Sequence, residues 1–91
     1  MDLGLRDRVC VVTGSTGGIG LAVAHVLADE GARVVVTGRD AERVESARRA
    51  SGAELGVVCD LIDPQGPEAL VERVRTTVGP IDCLVNNVGI A

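Results

Sequence analysis

Residues Thr13 to Gly20 read TGSTGGIG, and they stand directly behind the apolar run Val9–Val12 and directly ahead of the helix-forming stretch Leu21–Glu30. A strand, a glycine-rich turn and a helix in that order make an anion site. The first backbone N–H groups of the helix point outward without partners, and the aligned peptide dipoles favour negative charge there. The glycines have separable tasks: Gly14 turns the chain sharply off the strand, Gly18 admits a pyrophosphate close to the backbone, and Gly20 lets the helix pack tightly on the sheet. A plain structural turn is the competing reading. The matching flanks on both sides favour a phosphate-binding turn.

Outward from this turn, the chain alternates between apolar runs and helical patterns. The first strand is read as Val9–Thr13, and Ile19, Ala22, Val23, Val26 and Leu27 fall on one face of the helix that follows, which Gly31 ends. His25, the sole histidine, lies at the flank of that face as a surface residue. A second run, Val34–Val36, ends in Thr37-Gly38-Arg39-Asp40 and leads into a polar helix through about Ser51. In that helix Asp40 is the expected N-cap, Val44 and Ala47 the inner face, and Glu45 with Arg49 an i,i+4 pair. A third strand is expected around Val57–Cys59, then a helix with Pro64 and Pro67 near its first turn and a buried stripe of Leu70, Val71, Val74 and Val78. Gly79-Pro80 stops it, and Cys83–Val85 is the fourth strand. This βαβαβαβ pattern implies an α/β fold with a parallel, doubly wound Rossmann-type sheet. The expected strand order is 3-2-1-4, which places the glycine turn and Asn86–Gly89 at one crevice.

The composition fits such a sheet and narrows the function. Ninety-one residues make a single small domain whose core must be aliphatic, because there is no Phe, Trp or Tyr. Thirteen acidic residues against nine basic ones, all nine Arg, leave a net charge of −4 with no basic tract, so nucleic acid is not an expected partner. No run approaches membrane-spanning length and the N-terminus lacks the order of a signal peptide, so a cytoplasmic protein is expected. Cys10, Cys59 and Cys83 are odd in number, show no metal-binding spacing, and are read as buried strand residues. No metal site is expected.

Taken together, TGSTGGIG after the first strand, Asp60 after the third and GPIDCLVNNVG around the fourth resemble the short-chain dehydrogenase/reductase family, its ketoreductase-like members above all. The resemblance runs from Val9 to Gly89. It implies an oxidoreductase that moves a hydride between a nicotinamide cofactor and a carbonyl or alcohol substrate. Thr13, Gly14, Gly18, Ile19 and Gly20 match the family's phosphate-binding turn, with Ser15 and Thr16 offering backbone and hydroxyl contacts to the cofactor. Asp60 and Leu61 match the pair that recognises adenine; a strand-end turn residue is the alternative reading of Asp60. Asn86 to Gly89 resemble the family's Asn-Asn-Ala-Gly. Asn86 is the strand-tying asparagine, Asn87 and Gly89 lie on the adenosine side, and Val88 replaces the usual alanine.

Charge decides between the two nicotinamide dinucleotides. An NAD site wants an acid at the end of the second strand to accept from the ribose 2′-OH, whereas a 2′-phosphate wants a cation. The strand-end position here is Gly38 and the next residue is Arg39, whose guanidinium suits a phosphate, so NADP(H) is favoured over NAD(H). The alternative is that Arg39 is a solvated residue paired with Asp40 or Glu42. Gly17 stands where many NADPH-preferring members carry a basic residue, which argues the other way.

The family's chemistry also needs a serine and a Tyr-x-x-x-Lys pair beyond the fourth strand. With no Tyr and no Lys, this chain cannot supply that pair, and it contains no candidate catalytic residue. It reads as the cofactor-binding half of a reductase, stopping after its fourth strand and inactive alone. A non-catalytic nucleotide-binding or protein-interaction module derived from the family is the alternative. The fourth strand is expected to be an uncovered apolar edge, inviting a homodimer or a complementing chain.

Overall fold

The computed structural model describes residues 4–87. Four strands, β1 (Val9–Val12), β2 (Arg33–Gly38), β3 (Leu55–Val58) and β4 (Cys83–Val85), alternate with helices α1 (Gly18–Asp29), α2 (Ala41–Ser51) and α3 (Gly66–Thr77). All neighbours are parallel and the order is β3-β2-β1-β4. The doubly wound sheet expected from the alternation is therefore the one formed.

Side-chain alternation along the strands sorts the core into two layers. Val12, Val34 and Val36 pack with Ala24 of α1 and Val44 and Ala47 of α2 on one face, while Val9, Val11, Val35 and Val57 meet Leu70 and Val74 of α3 on the other. Val11, Val12, Val34, Val35 and Val36 are fully buried, and each contributes about 1.5–3 kcal/mol by leaving water. Asp40 caps α2 as expected: its Oδ1 accepts from the N–H groups of Glu42 at 2.9 Å and Arg43 at 3.1 Å. Glu45 pairs with Arg49 at 3.3 Å, and more closely with Arg48 at 2.6 Å. His25 lies on the surface, 3.5 Å from Asp29.

Several expectations are corrected. The buried face of α1 differs in part from Ile19, Ala22, Val23, Val26 and Leu27: Val23 and Leu27 are half-buried and pack on the core, whereas the other three do not. Ile19 is 75% and Val26 55% exposed, Ala22 is also exposed, and the fully buried positions are Gly20 and Ala24, with Leu27 and Ala28 half-buried beside them. Bulk was the misleading cue, because the helix lies so close to the end of β1 that only small residues fit. A Cβ at Gly20 would fall against the carbonyl of Gly14 and 2.6 Å from Asn87 Nδ2. In α3, Leu70 and Val74 are buried and Val78 is half-buried, but Val71 is 48% exposed at the rim of an apolar groove beside β4. The third strand starts two residues before Val57 and ends at Val58, which puts Cys59 just past it, half-buried. Of the three cysteines only Cys10 is buried. Cys83 is exposed because β4 has a neighbour on one side only.

Candidate functional site: a crevice at the strand C-termini

All four strands end on the same side of the sheet, so the segments following them share one rim. Thr13, the first residue past β1, holds the segment after β4 in place. Its N–H donates to Val85 O at 3.0 Å, its Oγ1 accepts from the N–H of Asn87 at 2.9 Å, and the hydroxyl proton is shared between Val85 O and Asn86 Oδ1, both 3.3 Å away. Asn86 thus ties β4 to β1, as the resemblance implied. Asn87 turns the other way and donates from Nδ2 to Gly14 O at 3.3 Å. Gly14 has φ +59, and a Cβ there would run into the carbonyl of Asn87, so both the turn and the close approach require glycine.

Beyond Gly14 the turn opens. Gly17 caps α1 with no side-chain hydrogen bond, which leaves the helix N-terminus to whatever approaches it. Gly18, at φ +58, has only open space where a Cβ would stand, and Ile19 is exposed beside it. These are the attributes of an anion cradle. Ser15 corrects an expectation. Its side chain is fully buried, with Oγ donating to Val12 O at 2.7 Å and accepting from the N–H of Thr37 at 2.9 Å, while its own N–H donates to Thr37 O at 3.2 Å. The hydroxyl and the N–H of Ser15 are thus spent on holding the turn to β1 and β2.

A groove of about 320 Å³ runs from this turn across the ends of β2 and β3, lined by Gly14, Thr16, Gly38, Arg39, Asp60 and Leu61 among others. It gathers the glycine turn, Arg39 after β2 and the expected adenine pair, which are far apart in sequence. Arg39 is exposed and has no ion-pair partner among the described residues, so the alternative in which Asp40 or Glu42 neutralises it is not realised. Asp40 instead spends its Oδ1 on capping α2. Asp60 Oδ1 accepts from the N–H of Ile62 at 3.0 Å, so the residue does shape a strand-end turn, and it also lines the groove. That loop is pinned from behind, since Gly66 at the start of α3 has no room for a Cβ against the carbonyl of Asp60. Thr37, Cys59 and Ile62 also line the groove, and sequence reading did not single them out. Their positions follow from strand ends, which only the register defines. Gly89 and Val88 lie outside the described residues.

Residues 8–91 match the family described as short chain dehydrogenase. The chain belongs to that family. Among short-chain dehydrogenase relatives, it is 41% identical over 90 residues to the NADP-dependent (R)-specific alcohol dehydrogenase of Lentilactobacillus kefiri, covering 96% of this chain and 36% of that protein. It is 34% identical over 89 residues to the 3-oxoacyl-(acyl-carrier-protein) reductase of Escherichia coli, covering 97% of this chain and 36% of the relative. Among solved structures, L-sorbose reductase from Gluconobacter frateurii, complexed with NADPH and L-sorbose, superposes with a TM-score of 0.89 at 41% identity. That match covers 99% of this chain and 36% of the other. The chain spans little more than a third of the length of these short-chain dehydrogenases.

Proposed function

We propose that residues 1–91 act as the NADP(H)-binding unit of a short-chain dehydrogenase/reductase, in the cytoplasm. In this reading the pyrophosphate sits at the uncapped N-terminus of α1 over Gly18 and Ile19. Asp60 and Leu61 hold the adenine, Arg39 meets the 2′-phosphate, and Asn87 and Gly89 support the adenosine side from the β4 segment. Thr16 lines the same groove, while Gly14 and Gly20 serve the site by bringing turn, helix and Asn87 into contact. When bound, the dinucleotide supplies the hydride. The chain's own part is to hold and orient the nucleotide.

The observation that carries this reading is Arg39, a guanidinium with no ion-pair partner among the described residues, on the groove wall shared by Thr16, Asp60 and Leu61. Two relatives support the choice of cofactor by name, one being called NADP-dependent and the other complexed with NADPH. Calorimetric titration of the chain and of Arg39→Ala with NADPH and NADH tests it. A charged hydrogen bond is worth about 1.5–3 kcal/mol, so the variant should bind NADPH at least about tenfold more weakly and NADH unchanged. Equal NADPH affinity in the variant, or no binding of either dinucleotide by the parent, overturns the reading.

The second reading, a nucleotide-binding or interaction module without catalysis, draws on the absence of Tyr and Lys from the chain. Under it, and for the chain acting alone, NADPH binds but is not oxidised in the presence of a ketone. Turnover by these residues alone would remove this second reading.

A further inference from the structure

Gly38 ends β2 where an NAD-selective site would carry an acid, and its backbone does not require glycine: its φ lies outside the left-handed region. What requires glycine there is space. A Cβ at position 38 would fall inside van der Waals contact with Cγ2 of Thr16 and 3.1 Å from Cγ2 of Val44, while Thr16 Cβ stands at an ordinary 3.7 Å. Thus the methyl of Thr16, rather than its Cα or Cβ, fills the volume that a side chain at 38 would occupy. Val44 is buried on α2 at 3% exposure, and its methyl at 3.1 Å would have to give only a few tenths of an ångström, far less than that of Thr16. Thr16 is half-buried, and branching at Cβ makes it stiff about χ1.

We propose that Thr16 is a specificity-determining residue of the cofactor groove. Its methyl excludes a carboxylate from the end of β2 and so keeps that wall free for the phosphate that Arg39 faces. This rests on the cofactor reading above, and it assigns the selectivity to a pair from two different segments. Position 38 accepts an acid only after position 16 has lost its methyl. Thr16→Ser removes that one atom and keeps the hydroxyl.

The test compares the parent with Thr16→Ser, Gly38→Asp and the double variant, measuring dissociation constants for NADH and NADPH and the melting temperature of each. Gly38→Asp alone should melt lower than the parent and bind NADH no more than twofold tighter. The double variant should regain most of the lost melting temperature and bind NADH at least about tenfold tighter than Gly38→Asp does. If Gly38→Asp alone gains NADH affinity to the same extent, Thr16 rotates out of the way and the proposal fails. It fails equally if the double variant gains nothing. Should the parent bind neither dinucleotide, the cofactor reading is what has failed. The steric claim is then decided by the melting temperatures of Gly38→Ala and Thr16→Ser/Gly38→Ala: a loss in the first that the second removes upholds it, and additive losses overturn it.

Discussion

Ser15 and Thr16 are adjacent polar residues in a glycine-rich turn, and burial gives them opposite uses. The hydroxyl of Ser15 is the acceptor for the buried N–H of Thr37, so Ser15→Ala leaves that donor without its partner at a cost of about 1–3 kcal/mol. At about 4–8 °C per kcal/mol for a domain of this size, the melting temperature should drop by several degrees or more. A calorimetric scan showing no drop would mean that Ser15 is not the clamp its geometry indicates. Gly17 is the reverse case, with φ −168 and nothing near a built Cβ, so a long basic side chain fits there without strain. Gly17→Arg should therefore tighten NADPH binding by about 1.5- to 5-fold, the range of an exposed ion pair, and leave NADH unaffected. Equal effects on the two dinucleotides would place that charge away from the 2′-phosphate. The strand-end positions of Arg39 and Asp60 were legible from sequence, because the apolar runs ahead of them mark where β2 and β3 end. Ser15 was misread because nothing local tells whether a hydroxyl in a turn faces ligand or sheet.

The helices show which packing cues a sequence carries. Helix α2 was read correctly where its cues are local, with Asp40 as cap, Val44 and Ala47 one turn apart and Arg49 paired with Glu45, while the closer partner of Glu45, Arg48, was not singled out. Asp40→Ala should cost about 1 kcal/mol, seen as a lower denaturation midpoint at unchanged slope. Helix α1 was read only in part: Val23 and Leu27 do pack on the core, but the fully buried positions are Gly20 and Ala24, residues that hydrophobicity ranks below the exposed Ile19 and Val26. Among the strands, β1 has a readable titration. Burial, with the neighbouring Cys83 thiol and Asp82, pushes the Cys10 thiol from 9.0 up to about 11. The unfolded thiol ionises first, so this contribution to stability is present below pH 9.0 and is lost as pH rises from 9.0 through about 11. Cys10→Val should flatten that alkaline limb of a stability-versus-pH curve, and an unchanged limb would assign it to other groups. On the acid side, hydrogen bonds from Arg48 hold the Glu45 carboxyl down from 4.5 to about 2, so its contribution is present above pH 4.5 and is lost as pH falls from 4.5 through about 2.

At the scale of the molecule, the sheet is covered asymmetrically. Helices α1 and α2 cover one face over β1 to β3, and α3 covers part of the other. The three residues of β4 pair only with β1, and Leu84 is 58% exposed. An apolar groove of about 310 Å³ runs along this side, lined by Leu70, Val71, Ile81 and Leu84 among others. A strand edge with open backbone groups beside an apolar groove is a template for pairing, and a second copy of the chain carries the same edge. Light scattering on the purified chain should show a concentration-dependent dimer, and Leu84→Arg should shift it to monomer, because a charge on the edge opposes pairing. A parent that stays a monodisperse monomer with a high melting temperature would overturn this expectation.

The sequence by itself determined the order of elements, the parallel sheet and its winding, the glycine turn ahead of α1 and the strand-end positions of Arg39 and Asp60. Those depend on local periodicity, glycine spacing and the handedness of crossovers, all written within a few residues or a single βαβ unit. Only the tertiary structure decided which hydroxyl is buried, which face of α1 meets the sheet, that Arg39 has no ion-pair partner among the described residues, and that Thr16 fills the space beside Gly38. Each of these is set by atoms brought together from distant segments at van der Waals or hydrogen-bond distance. Such distances follow from strand register and close packing, which no local pattern of residue types encodes.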